Sequence, residues 1–245
     1  MCPEPECPSM DKQAIRTAVW DRLEAEGLAR FPFPPHGRIP NFEGAVAAAD
    51  RLTAMPWWTS VTTIKCNPDA PQRPVREAAL RDGKAVVMAQ PRLRSDRPFL
   101  RIDPDDVDDP AAASTIGGAN DHGTPVTPEE VPDVDAIVAG SVAVDRHGRR
   151  IGKGEGYSDL EFAILVELDV LGRDVTVATT VHDIQVWEDR LPDDDHDVSL
   201  DAISTPTTTI RVSDRPPRPA GLDWTRLDEE QRDSIPILKR LDNSR

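Results

Sequence analysis

The stretch that most constrains this chain is a short apolar run, then a basic glycine-punctuated loop, then a helix. Val134-Asp135-Ala136-Ile137-Val138-Ala139-Gly140 is apolar, β-branched and closed by glycine, the pattern of a buried strand. Further on, Leu160, Ala163, Ile164, Leu168 and Leu171 recur at helical spacing. Ser158 followed by Glu161 predicts a capping box for that helix, and Gly172 predicts its stop. Between strand and helix, Arg149 to Tyr157 alternates Gly152, Gly154 and Gly156 with charged residues, and Arg149, Arg150 and Lys153 add fixed positive charge. Glycines bring amide N–H groups close to a ligand, and the helix macrodipole adds about half a positive charge at the same point. This pattern predicts an anion site, best suited to a nucleotide phosphate. Asp159, in the first helical turn, is placed to hold a Mg²⁺ that phosphates share. A glycine-rich surface turn that binds nothing is the alternative. The flanking cations and the helix start favour the anion site.

The rest of the chain reads as strand–helix alternation. Asp11 to Gly27 has Ile15, Val19 and Leu23 on one face and predicts an amphipathic helix, with Lys12 and Arg16 four apart. By itself that basic pair is a solvated stripe. Residues 31–40 hold four prolines and exclude regular helix. Asn41-Phe42-Glu43-Gly44 is expected to open a second helix through Thr53, and Trp57 and Trp58 are read as core packing. Ser60 to Cys66 and Lys84 to Ala89 are strand-like, with a helix around Val75 to Arg81 between them. That order argues for a parallel sheet covered by helices. Ile102 to Asp109 reads as an acidic loop and Ser114 to Thr127 as a glycine-rich polar loop. Asp174 to Val181 is another parallel-type strand ending at His182-Asp183, where open α/β sheets place ligands. A hydrogen-bonded structural histidine is the favoured reading there. Asp193 to Asp197 reads as a solvated acidic loop, and Ile203 to Arg211 as a final strand region. Residues 1–10 read as a disordered leader, 11–220 as the folded domain, and 221–245 as a charged tail after a Pro-rich arm.

Length fits one domain with extensions. No apolar run approaches about 18 residues and no signal pattern opens the chain, so the expectation is a soluble, cytoplasmic protein without a membrane partner. The net charge is −15, and only five of the 29 basic residues are lysine. Such an acidic surface stays hydrated in concentrated salt, as in halophilic proteins, and it weighs against general nucleic-acid binding. Three cysteines are too few for a disulfide framework. Cys2 and Cys7 lack a second pair to complete a zinc site.

The central loop resembles the ATP-phosphate loop of the 5-formyltetrahydrofolate cyclo-ligase (methenyltetrahydrofolate synthetase) family, approximately D-x-x-G-x-R-L-G-x-G-G-G-Y-Y-D-R. Asp145, Gly148, Arg150, Ile151, Gly152, Gly154, Gly156, Tyr157 and Asp159 fall on it, while Glu155, Ser158 and Leu160 depart. The wording R-I-G-K-G-E-G-Y-S-D-L-E-F-A is closer to a divergent branch, one with a vertebrate member that also carries an RNA-recognition module. The resemblance implies a three-layer α/β/α fold with a mainly parallel sheet, of the NagB/RpiA/CoA-transferase-like group. It implies ATP, Mg²⁺ and a small-molecule substrate, a reduced folate or another heterocycle. The implied reaction is conversion of 5-formyltetrahydrofolate to 5,10-methenyltetrahydrofolate. Lys153 and Arg150 would act on the phosphates held by Gly152, Gly154 and Gly156, Tyr157 would shape the pocket, and Asp159 would hold metal. Lys12 and Arg16 match a K-x-x-x-R pattern that closes the nucleotide site. Gly123-Thr124-Pro125 matches a segment that closes the substrate pocket, and Asp197, Asp201 and Thr205 fall on a late family pattern. Where the family supplies a folate-side acid in an E-x-x-T context, this chain reads N-P-D-A-P-Q-R-P-V-R. Two alternatives stand beside the folate reaction: a non-folate substrate associated with thiamin metabolism, and a non-catalytic nucleotide- or RNA-associated module.

Overall fold

The first element among the described residues is α1 (Lys12–Ala25), capped where the Asp11 side chain accepts the Ala14 amide at 2.6 Å. The computed structural model describes residues 10–243, apart from the side chains of residues 172–174. The leader expected over residues 1–10, with Cys2 and Cys7, lies outside the described residues except for Met10. Helix α1 buries Ile15, Val19, Trp20 and Leu23, and Gly27 turns the chain out of it with φ +66°. The proline-rich segment is then closed by an antiparallel pair, β1 (Ala29–Arg30) with β2 (Asn41–Phe42). Asn41-Phe42 is therefore strand and not helix start. The Glu43 amide is still committed to Leu28 O at 2.8 Å, so α2 (Ala45–Thr53) begins only after Gly44.

Two βαβ units follow from the apolar runs. Strand β3 (Thr63–Cys66) leads through α3 (Arg73–Arg81) to β4 (Ala85–Ala89), which pairs with it in parallel, Ile64 opposite Val86. The segments expected as loops after it contain more structure. They hold β5 (Phe99–Ile102), the short helices α4 (Pro110–Ala113) and α5 (Ile116–His122), and β6 (Thr124–Val126). Asp109 and Thr115 cap the two helices through their side chains. Gly118 is required there, because a Cβ would lie 2.0 Å from Ala112 O. Strand β7 (Val134–Val138) then pairs in parallel with β3. A hairpin of β8 (Ala143–Asp145) and β9 (Arg150–Ile151) precedes α6 (Tyr157–Glu167). Strand β10 (Leu171–Thr180) follows, then β11 (Val186–Trp187), β12 (Ala202–Ser204) and β13 (Thr209–Arg211). The last elements among the described residues are α7 (Glu229–Ser234) and α8 (Pro236–Asn243).

The main sheet has eight strands in the order β13-β12-β10-β7-β3-β4-β5-β6. Its inner strands β12, β10, β7, β3 and β4 are parallel, and β13, β5 and β6 are antiparallel edges. On one face Val87, Ile137 and Val177 pack with Phe162, Ile164 and Leu165 of α6 and with Ile237 and Leu238 of α8. On the other, Ile64, Val86 and Val138 meet Leu52 of α2 and Val75 and Ala79 of α3. Burial on both faces explains the unbroken apolar runs of the central strands, and the result is the expected three-layer α/β/α architecture. Helix α1 packs with the small β11-β8-β9 sheet as a third cluster, Ile15 and Leu23 grouping with Val142 and Ile151.

The start of α6 differs from its sequence signature. Gly156, with φ +73°, occupies the N-cap, and no side chain caps the helix. Ser158 Oγ instead accepts from Asn67 Nδ2 at 3.3 Å, and the Glu161 carboxylate pairs with Lys65 Nζ. A tertiary ion pair has taken the group that a local capping box would use. The helix stops at Glu167, Asp169 reverses the chain with φ +57°, and Gly172 lies within β10. Among the described residues no helix is long and apolar enough to cross a membrane.

Candidate functional site

The loop joining β9 to α6 sits above the carboxyl ends of β3 and β7, where open α/β sheets leave a crevice. A cavity of about 690 Å³ opens there. Lys12 and Arg16 reach it from α1 and Arg150 from β9. Gly152, Lys153, Gly154 and Gly156 bring the loop, and Tyr157 and Asp159 the first turn of α6. These nine residues, drawn from α1, β9, the loop and α6, line one space.

The loop is held from below. Arg16 Nε donates to Gly152 O at 2.7 Å, and its guanidinium packs against Gly154, where a Cβ would stand 3.3 Å from Cζ. Gly154 also has φ +104°, a conformation that side chains disfavour. No amide of residues 153–156 donates to a protein acceptor among the described residues, and these residues line the cavity next to the first turn of α6. Arg150 is almost fully buried. Its Nη1 donates to Gly140 O at 2.9 Å, its Nη2 pairs with Asp159 Oδ1, and its Nε has no partner. Arg150 thus contributes a fixed cation beneath the loop, not a free arm. Asp159 Oδ1 also accepts from Val198 N at 3.0 Å, while Oδ2 takes no hydrogen bond among the described residues. Lys153 is half-exposed and pairs with Glu155 at 2.8 Å, so the carboxylate that departs from the family pattern is neutralised by its neighbour. Arg149, expected among the loop cations, turns away to Asp193 at 2.8 Å and to Asp145, and it does not line the cavity.

Lys12 closes one side. Its Nζ lies 2.8 Å from Asp194 Oδ2 and 2.5 Å from Asp197 Oδ2. Burial alone would lower the ammonium pKa, but these two hydrogen bonds raise it above its ordinary value. The segment expected as a solvated acidic loop is therefore a wall of the cavity. Asp194, His196 and Asp197 bring ligand atoms within 4.8 Å of one another, and the Lys12 ammonium already supplies a cation to the two carboxylates.

The floor was not legible as a site. Lys65 of β3 is 1 % exposed, pairs with Glu161 of α6 and donates to Asn67 Oδ1 at 3.1 Å. A lysine flanked by Ile64 and Cys66 in a buried strand was the available signal. Asp69 completes the floor, and desolvation raises its carboxyl pKa, with Lys153 and Arg76 opposing and Glu161 adding to the rise. Gly140 makes room for it, because a Cβ there would lie 2.7 Å from Asp69 Oδ2. Asp69 thus stands in the N-P-D-A stretch where the family's acid was expected. Arg76 is buried beneath this turn, donating to Asn67 O at 2.5 Å and Asp69 O at 3.1 Å, whereas Arg92 and Arg94 line the cavity.

Other candidates lie elsewhere. Gly123-Thr124-Pro125 leads into edge strand β6 and does not line the cavity. His182 is structural: its Nδ1 accepts from Ile184 N at 3.3 Å, its ring packs edge-on to Phe42, and burial lowers its pKa. Thr205 binds Asp183 at 2.5 Å, and Asp201 binds Arg215 and Arg218 of the C-terminal arm. Cys66 is buried and its thiol is pushed up to about 11, which makes it unreactive.

The sequence profile of the 5-formyltetrahydrofolate cyclo-ligase family matches residues 8–206. The methenyltetrahydrofolate synthase domain-containing protein of Bos taurus is 40% identical over 242 residues, covering 95% of this chain and 62% of that protein. The Homo sapiens protein of the same name is 36% identical over 248 residues, covering 97% of this chain and 63% of its own length. The chain thus spans a little over three-fifths of these relatives. Among solved structures, the 5,10-methenyltetrahydrofolate synthetase of Aquifex aeolicus superposes with a TM-score of 0.53 at 20% identity, covering 89% of this chain and all of that one, which is a likeness of fold.

Proposed function

Because the chain belongs to the 5-formyltetrahydrofolate cyclo-ligase family, a family of ATP-dependent ligases, we propose that it uses Mg·ATP to close a ring on a formylated reduced folate, giving 5,10-methenyltetrahydrofolate. The observation that carries this reading is the convergence of Arg16, Arg150, Lys153 and the unpaired amides of residues 153–156 at the N-terminus of α6. Such a site neutralises a triphosphate. In the proposed reaction the formyl oxygen takes the γ-phosphoryl group of ATP and ADP is released, the N10 amine attacks the activated carbon, and the C–O bond breaks so that phosphate leaves, the N10 proton being lost with it. The chain's part is positioning and charge neutralisation. Arg16 and the loop amides bind the phosphates, Lys153 leaves Glu155 to follow the transferred group, and Arg150 holds Gly140 and Asp159 in place. Tyr157 borders the substrate. The unused Oδ2 of Asp159 fits a Mg²⁺ ligand, and the metal when bound offsets phosphate charge.

A closely related ligation on another heterocycle is the second reading. It is favoured by Asp69 standing within N-P-D-A in place of the family's acid-and-threonine pattern. The net charge of −15 weighs against an RNA-associated role. We place the protein in the cytoplasm.

The test follows methenyltetrahydrofolate absorbance from 5-formyltetrahydrofolate with Mg·ATP in high-potassium buffer. ATP-dependent product from wild type, reduced at least about tenfold in Lys153→Ala, is expected. No product from folded protein that binds ATP would sink the folate assignment and favour the second reading.

A further inference from the structure

The floor beneath the phosphate loop carries a hydrogen-bond relay with a fixed direction. Lys65 is almost wholly buried, and its Nζ pairs with Glu161 while donating to Asn67 Oδ1 at 3.1 Å. An ammonium has donors only, so the Asn67 side chain has to turn its oxygen towards Lys65 and its NH₂ group away. That NH₂ group donates to Ser158 Oγ at 3.3 Å. The Asn67 main chain is fixed as well. Its N–H donates to Val138 O at 3.0 Å, and its carbonyl accepts from Arg76 Nη1 at 2.5 Å.

At the end of the relay Ser158 Oγ is engaged as an acceptor, and its O–H donates to no protein group among the described residues. Ser158, in the first turn of α6, and Asn67, just past the carboxyl end of β3, both line the cavity. The relay therefore presents one directed O–H donor to a ligand bound there. Each bond runs the same way, from ammonium to amide to hydroxyl, and bonds aligned in one sense polarise one another. Ser158 is also a position at which the loop leaves the family pattern, where a second tyrosine stands.

Chemistry decides which ligand atom this donor meets. Ser158 stands where the phosphate loop, ending at Gly156, meets the floor turn that carries Asp69. The loop amides suit the inner phosphates of a nucleotide, whereas the phosphoryl group to be transferred has to lie at this border, next to its acceptor. A terminal phosphate oxygen is anionic, the kind of acceptor that gains most from a directed O–H.

We propose that the Ser158 hydroxyl donates to the terminal phosphoryl group of the bound nucleotide, and that Asn67 and Lys65 are the positioning residues that aim it, so that the site distinguishes a nucleoside triphosphate from a diphosphate. That role rests on the phosphate reading above.

The test titrates full-length protein calorimetrically, with Mg²⁺ present, with the β,γ-methylene analogue of ATP and separately with ADP. Ser158→Ala is expected to weaken the triphosphate at least about tenfold and to leave ADP within about twofold of wild type. Ser158→Thr, which keeps the hydroxyl, should stay within about threefold for both. Asn67→Asp replaces the NH₂ group with an acceptor and turns the Ser158 O–H inwards, so it should cost the triphosphate at least as much as Ser158→Ala. In a Ser158→Ala background the same change should cost several-fold less, because no donor is left to turn, whereas charge repulsion alone would cost the same in both backgrounds. Equal losses of triphosphate and ADP in Ser158→Ala, no loss of either, a Ser158→Thr variant as weak as Ser158→Ala, or an Asn67→Asp effect that is the same in both backgrounds would overturn the relay alone. Wild type that binds neither nucleotide would overturn the phosphate site itself, and the relay with it.

Discussion

The Lys65 ammonium and the Glu161 carboxylate meet beneath the cavity, joining β3 to α6 through a pair that is almost wholly removed from solvent. Burying two charges costs more solvation than it returns unless the geometry is good, and removing one partner leaves the other stranded. Lys65→Met is expected to destabilise the fold by about 3–5 kcal/mol. The double variant Lys65→Met with Glu161→Leu is expected to recover most of that loss. Denaturant midpoints of the two variants and wild type check it, and equal midpoints for single and double variants would show that the pair is not coupled.

Glu155 is tied to Lys153 on a half-exposed loop. Replacing it with glutamine frees the lysine and removes a negative charge from the loop proposed to hold the triphosphate. Exposed pairs are weak, so the gain is modest: Glu155→Gln should tighten Mg·ATP by about two- to fivefold. Calorimetric titration reads this directly. Weaker ATP binding in the variant would mean that Glu155 serves the metal.

Gly154 needs both its left-handed φ and the space occupied by the Arg16 guanidinium. Gly154→Ala should lower ATP affinity by about tenfold, the strain of a side chain at positive φ being about 1–2 kcal/mol. Thermal stability should change little, because the loop lies at the rim of the cavity. An unchanged dissociation constant would mean that the loop does not set the phosphate position.

Two carboxyls give opposite pH dependence. Burial by itself would raise the Asp201 pKa, but hydrogen bonds from Arg218 and Val177 N hold it below its ordinary value. Its contribution is present above the unfolded value of about 3.9 and is lost as pH falls through the lower folded pKa. Asp69 is raised by desolvation, so between about 3.9 and its folded pKa the native state keeps a proton that the unfolded chain has released, and stability declines there as pH rises. Asp69→Asn should therefore flatten the unfolding-midpoint profile above about pH 3.9, and Asp201→Asn should remove the loss at lower pH. Profiles parallel to wild type in both variants would contradict these environments.

Asp201 also clasps Arg215 and Arg218 of the C-terminal arm. Asp201→Ala is expected to cost about 1–3 kcal/mol of stability and to speed amide exchange across residues 215–227. Exchange confined to wild-type rates would show that the arm is held by its apolar contacts alone.

The central layer was legible because parallel strands buried on both faces leave unbroken apolar runs, as in Val134–Val138 and Ala85–Ala89. The glycine loop was legible because its chemistry is local. What escaped depended on partners distant in sequence. Ser158 and Glu161 carry a capping signature, yet Asn67 and Lys65, more than ninety residues earlier, take their side chains. Strand β5 and helix α5 lie in segments rich in proline, aspartate and glycine, and only pairing with β4 and side-chain caps fix them. Asp194 and Asp197 read as solvated acids because Lys12 stands 182 and 185 residues away.

That last separation has a consequence for how the protein is made. Lys12 is synthesised 182 and 185 residues ahead of its two carboxylate partners, Asp194 and Asp197. Until then the phosphate loop and α1 can be present without a closed cavity. That wall of the cavity closes only once both carboxylates have been made, so on the proposed reading a nascent chain stalled before residue 194 should not retain nucleotide.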